Sequence, residues 1–158
     1  MRLLIDTAKL RFGGAVQVAL SVIHECRRHD EHEYHAVLGP GVGAVLESAD
    51  FPANFHFYRK SFGVMKLRKL ARVQREMSTL EASIVPDCIV TTAGPAYWRS
   101  QAPHLIGFNR PLFIYPESPF VHQMDWRSKA ALRAQKFLHR RLYRREADAL
   151  IVQTDDVN

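Results

Sequence analysis

Gly13-Gly14 stands between a short apolar run, Leu3-Leu4-Ile5, and a stretch with helical spacing. Paired glycines there let backbone N–H groups approach an anion at a helix N-terminus, where the helix dipole and the unpaired donors both favour phosphate. The competing reading is a tight turn and nothing more. Lys9 and Arg11 flank the turn and either add positive charge to it or are simply exposed. The dinucleotide fingerprint G-x-G-x-x-G is absent, because Gly13-Gly14-Ala15-Val16 offers no third glycine, which argues against a nicotinamide-dependent enzyme. His29, His32 and His35 are interleaved with Asp30, Glu31 and Glu33. They span a helix end, a turn and a strand start, whereas zinc demands convergent tetrahedral ligands, so the expectation is a polar surface connection and no metal. His24-Glu25 with His29 misses the H-E-x-x-H spacing by one residue, and its two histidines would not share a helical face. Cys26 and Cys88 form no C-x-x-C motif and are expected to be reduced, buried small residues.

The elements that must position these residues follow from periodicity. Leu3-Leu4-Ile5-Asp6 reads as a strand, followed by the glycine turn and a helix over 15–28. Val16, Ala19, Leu20 and Ile23 fall on one face of that helix, with Cys26 extending the stripe. Strands are expected at 34–38 and 54–58, with a short helix over 42–49 between them. From 64 to 84, Leu67, Leu70, Val73, Met77, Leu80 and Ile84 keep helical spacing while Arg68, Arg72 and Arg75 lie on another side, an amphipathic helix with a basic face. Cys88-Ile89-Val90-Thr91-Thr92 is apolar enough for a strand buried on both faces of a parallel sheet. Short extended segments are expected at 105–108 and 112–115, the second as a strand broken by Pro116-Glu117-Ser118-Pro119. A second basic helix is expected over 127–146, burying Ala131, Ala134, Leu138 and Leu142 and exposing Arg133, Lys136, Arg140 and Arg144; a strand over 149–153 follows. Alternation of strand and helix predicts an α/β fold: a mainly parallel sheet with right-handed crossovers and helices on both faces.

The chain has 158 residues, 47% of them hydrophobic and 24% charged, which suits one globular domain and excludes global disorder. No apolar run approaches the roughly 20 residues that span a bilayer, and no signal-peptide pattern opens the chain, so a cytosolic protein is expected. The net charge of +6 is concentrated: of 22 Lys and Arg, seven lie within 59–75 and eight within 127–145. Such clustering attracts an anionic partner, whether a membrane surface, a phosphorylated substrate or nucleic acid. Arg68, Lys69, Arg72 and Arg75 form the expected patch. The last residues, Thr154-Asp155-Asp156-Val157-Asn158, would suit the cap of a following helix, and the chain reads as cut there.

Three segments in order resemble the N-terminal, Rossmann-like domain of GT-B glycosyltransferases of family 4 type. They are Leu3-Leu4-Ile5-Asp6 with Phe12-Gly13-Gly14, then Asp87-Cys88-Ile89-Val90-Thr91-Thr92, and, most specifically, the helix-to-strand passage Arg141-Leu142-Tyr143-Arg144-Arg145-Glu146-Ala147-Asp148-Ala149-Leu150-Ile151-Val152-Gln153-Thr154. The resemblance implies an acceptor-side half that shares a nucleotide-sugar donor with a C-terminal domain; that domain's motif of two glutamates separated by seven residues has no counterpart here. In such enzymes the glycine loop abuts the donor diphosphate when the domains close, which assigns Gly13 and Gly14, with Lys9 and Arg11 adding charge.

Several members carry a histidine after the strand corresponding to 112–115, but here Pro116-Glu117-Ser118 occupies the region. Glu117 becomes a candidate catalytic or sugar-contacting residue, Ser118 a candidate donor or acceptor contact, and His122 a lower-ranked candidate facing the cleft. The bland readings are a loop cap for Glu117 and a solvated His122. No cofactor and no obligatory metal are implied. The expected function is sugar transfer to a glycan or lipid-linked saccharide, at a cytoplasmic site with peripheral contact to an anionic inner membrane surface. The competing expectation is a noncatalytic binding module for a membrane, a protein or, less favoured, nucleic acid.

Overall fold

The computed structural model describes residues 1–62, 67–115 and 117–152; the expected helix start at 64, the break at Pro116 and the expected cap at 154–158 lie outside them. Apolar runs of four to six residues supply the strands β1 (Arg2–Asp6), β2 (Glu33–Leu38), β3 (Phe55–Arg59), β4 (Cys88–Thr91), β5 (His104–Gly107) and β6 (Ala149–Ile151, three residues). Among the described residues they form one sheet in the order β3-β2-β1-β4-β5-β6. Every pairing is parallel. The fold is therefore Rossmann-like α/β, as expected from the alternation of elements.

Five α-helices connect the described strands: α1 (Gly14–Glu25), the one-turn α2 (Pro40–Gly43), α3 (Leu70–Ile84), the one-turn α4 (Pro119–His122) and α5 (Trp126–Glu146). Val16, Ala19, Leu20 and Ile23 of α1 pack on Ile5, Tyr34, Ala36 and Leu38, which builds the core on one face of the sheet. Val73, Met77 and Ile84 of α3 and Tyr143 of α5 pack on Leu4, Val37, Ile89 and Ile106 on the other. Strand side chains alternate between these two layers. β4 meets the expectation of two-sided burial on one side only, since Ile89 and Thr91 are buried but Cys88 and Val90 are half-buried. Both cysteines are free and half-buried, and burial pushes both thiols above their ordinary pKa.

Two expectations need correction. Residues 112–115 do not form a strand: Pro111–Phe113 make a 3-10 turn, its N–H bond running from Phe113 to the Arg110 carbonyl over 3.0 Å. Pro111 fixes φ in the helical range and opens the turn, whereas the neighbouring sheet position is taken by β6. In α5 the buried residues are His139, Leu142, Tyr143 and Glu146, while Ala131 and Ala134 are exposed and Leu138 is 39% exposed. The helix turns its polar His139 and Glu146 inward because both find partners there, and hydrophobicity alone misplaced the stripe.

Candidate functional site

The strand order reverses between β1 and β4: β1 continues outward to β2, while β4 leads the other way. In an open α/β sheet such a switch point leaves a crevice beyond the carboxyl ends of the strands, where the flanking loops diverge. Here the corresponding position is bordered by the loop after β1, the turn after β4, the segment after β5 and α5.

The loop after β1 is anchored below by Asp6. Its Oδ1 accepts the Ala8 N–H (2.9 Å) and its Oδ2 accepts the Trp98 indole N–H (2.9 Å), all three residues being buried. This pins the turn after β4 to the end of β1. Beyond it the chain rises to Gly13, whose φ of 82° lies in the left-handed region that favours glycine. No side chain caps α1 at Gly13, and its first turn carries no acid. A Cβ placed on Gly13 or Gly14 meets nothing within 4 Å, and both residues are exposed at the start of this 12-residue helix.

Lys9 is the half-buried charged residue of this loop. Its ammonium donates to the Pro95 carbonyl and sits 5.2 Å from the centre of the Tyr97 ring. Burial pulls its pKa down to about 7; Asp6 and Glu146 oppose the shift, and Arg110 adds to it. Tyr97 has a φ of 68°, a strained value for an aromatic residue. Its N–H is held by Glu146 Oε2 at 3.0 Å, and the other oxygen of Glu146 accepts from Arg145 at 2.8 Å. Burial raises the Glu146 carboxyl despite these bonds. The Tyr97 hydroxyl lies 3.4 Å from His139 Nε2, and burial, then Arg110 and Lys9, lower His139 to about 4. Burial also raises Tyr143 well above the ordinary phenol value. The back wall holds polar atoms without a partner among the described residues: His139 Nδ1, the Tyr143 hydroxyl and Thr92 Oγ1. Gly94 makes this packing possible, because a Cβ there would overlap the Tyr143 ring and Ile106.

Chemically, this end of the sheet combines the exposed Gly13-Gly14 start of α1, a lysine whose charge burial disfavours, and the exposed Arg110. A bound anion would restore the lysine proton and be neutralised by it. Perturbed ionisation of this kind clusters at functional sites.

Of the expected residues, Gly13, Gly14 and Lys9 lie between β1 and the start of α1, beside the switch point. Arg11 is exposed. Glu117, ahead of α4, and His122, its last residue, are both exposed, and Ser118 is the N-cap of that helix, its carbonyl accepting the Val121 N–H at 2.8 Å without a side-chain cap. None of the three makes a hydrogen bond to the Lys9 cluster among the described residues. In the expected basic patch, Lys69 is tied to the Phe62 carbonyl (2.7 Å) and Arg72 to Glu76 (2.7 Å), whereas Arg68 and Arg75 are exposed. Sequence reasoning missed Tyr97, Arg110, His139, Tyr143 and Glu146. The spacing of His139, Tyr143 and Glu146, at i, i+4 and i+7 on one helical face, was the available signal.

Compared with protein-family models, with curated proteins and with solved structures, the chain finds no match.

Proposed function

We propose that this domain is the acceptor-side half of a GT-B glycosyltransferase of family 4 type, whose switch-point crevice receives the diphosphate of a nucleotide-sugar donor shared with a second Rossmann-like domain. One observation carries the reading: the exposed α1 N-terminus at Gly13-Gly14 shares a loop with Lys9, a half-buried lysine whose pKa burial pulls down to about 7. Backbone amides at a helix start and a lysine that gains its proton from an anion are suited to a leaving diphosphate. In an oxocarbenium-like transfer, charge develops there, and preorganised donors stabilise it without an obligatory metal. Lys9 and the amides would bind the diphosphate, with Arg110 adding charge at the rim. The exposed segment of Glu117, Ser118 and His122 would meet the acceptor or the sugar.

The test is a two-dimensional NMR titration of the chain with UDP and with inorganic pyrophosphate. Saturable shifts at the Gly13, Gly14 and Ala15 amides are expected, weakened about tenfold or more by Lys9→Met, in line with loss of a charge-assisted contact. Absence of shifts at these amides, or identical shifts in the variant, would overturn the reading. Transfer itself is tested by adding a donor domain that carries the two-glutamate motif.

A second reading, a module that docks on an anionic membrane, rests on a separate observation. The outward face of α5 aligns Trp126 (74% exposed) and Phe137 (64% exposed) with the exposed Arg133, Arg140 and Arg144. Aromatic and basic side chains on one helical face suit a lipid interface. Vesicle binding that is indifferent to nucleotide, together with no crevice binding, would favour this reading. No described helix is long and apolar enough to cross a membrane.

A further inference from the structure

At the opposite rim of the sheet from the crevice, near the amino ends of β2 and β3, the side chains of Glu33, His35 and His56 converge. Glu33 and His35 are two residues apart on β2 and so project from the same face. His35 is the register partner of His56 on β3. The two imidazoles stack with ring centres 4.7 Å apart and planes 26° from parallel. Both Nε2 atoms approach the same carboxylate oxygen, Glu33 Oε1, at 3.1 and 3.3 Å. The three donor atoms all lie within 4.8 Å of one another. Donors around a tetrahedral zinc, each about 2.1 Å from the ion, stand about 3.4 Å apart, so small side-chain adjustments suffice.

The surroundings fix these donors from behind. Arg2, the register partner of Glu33 on β1, holds Glu33 Oε2 at 2.9 Å and leaves Oε1 to the histidines. The Tyr58 hydroxyl, on the same face of β3, lies 2.9 Å from His35 Nδ1. Because a hydroxyl both donates and accepts, His35 can place its proton on Nδ1 and free the Nε2 lone pair with no nitrogen unsatisfied. His29 and His32 stand apart from this group and pair with Glu31, at 3.8 and 3.4 Å.

We propose that Glu33 Oε1, His35 Nε2 and His56 Nε2 bind one zinc-class divalent ion, with water completing the coordination. Two imidazoles and one carboxylate select zinc or cobalt over the hard magnesium and calcium ions, which take oxygen donors. The ion would clip the edge strand β3 to β2, far from the crevice, so the proposal stands independently of any sugar-transfer activity.

Zinc is titrated calorimetrically into the metal-free chain, and cobalt is followed by its visible absorption. The expected result is one ion per chain, a zinc-dependent rise in Tm, and no response to magnesium. His56 is 45% exposed in its side chain, so His56→Ala leaves the fold intact and weakens zinc by more than about 100-fold, removing the cobalt band. Glu33→Gln loses affinity likewise, and Tyr58→Phe, which alters only the positioning of His35, weakens zinc about tenfold. The double variant His29→Ala/His32→Ala binds as the unaltered chain does. The proposal is overturned by no stoichiometric zinc binding below millimolar concentration, by binding that survives both His56→Ala and Glu33→Gln, or by binding lost in the His29/His32 variant.

Discussion

Lys9 ties the stability of the fold to pH. Its folded pKa of about 7 lies below the ordinary value of 10.5, so between those limits the unfolded chain holds a proton that the folded chain has released. Stability contributed at this position is therefore greatest above about pH 10, declines as the pH falls towards 7, and is lowest below 7, where the ammonium is charged and enclosed. Lys9→Met is expected to stabilise the empty domain at pH 6 by on the order of 2 kcal/mol, discounting the full shift because the residue is only half-buried, and by less at pH 9; urea unfolding at the two pH values checks this. Under the proposed function the same variant is expected to weaken anion binding, a combination that would mark a residue kept for recognition at the expense of stability. An anion that restores the proton should also show net proton uptake at pH 8, approaching one, and little at pH 6. Calorimetry in buffers of different ionisation enthalpy reads this directly. Beneath Lys9, Trp98→Phe removes the indole donor to buried Asp6 Oδ2 and leaves that acceptor only the longer 3.4 Å contact from Thr91. A loss of about 1–3 kcal/mol in urea unfolding is expected.

At the scale of elements, buried polar side chains do as much positioning as the apolar stripes. Glu81 of α3 is buried, and its Oε1 accepts the N–H groups of Gln101 (2.7 Å) and Ala102 (2.8 Å), fixing the loop that enters β5. Glu81→Ala leaves two donors without this acceptor and should lower stability by about 2–4 kcal/mol, while Glu81→Gln, which keeps an acceptor oxygen, should lose less; thermal unfolding of both variants distinguishes them. The apolar stripe of α1 and the Val73, Met77 and Ile84 stripe of α3 were legible from spacing, because nonpolar side chains advertise the side they bury. Glu81, His139 and Glu146 were not legible. A polar residue faces inward only when a partner waits there, and for these residues the partners lie in the turn after β4. The 112–115 segment was misread for a related reason, since its apolar residues pack beside α5, the Phe113 carbonyl accepting from Lys136, and do not join the ladder.

For the whole molecule, charge and topology separate the three proposed sites by location. The crevice lies at the carboxyl ends of the strands, the Glu33, His35 and His56 cluster at the amino ends, and the basic outer face of α5 on a third surface. Reversing charge on that face, by Arg133→Glu with Arg140→Glu, should leave the melting temperature nearly unchanged, because both residues are exposed. It should reduce binding to phosphatidylserine vesicles by an amount on the order of 1 kcal/mol for each arginine lost, with the remaining binding falling as salt rises. Cosedimentation across salt concentrations checks this, and unchanged binding would remove α5 as the lipid contact. The order of strands and helices, the parallel sheet, the glycine turn and the clustering of basic residues were determined by the sequence, since each depends on local periodicity, backbone freedom or composition. Tertiary structure alone decided that Lys9 meets Tyr97, that Tyr97 meets His139 and Glu146, and that His35 meets His56 and not His29 or His32. These contacts join residues 21 to 88 positions apart, and their geometry comes from sheet order and register, which local pattern does not encode.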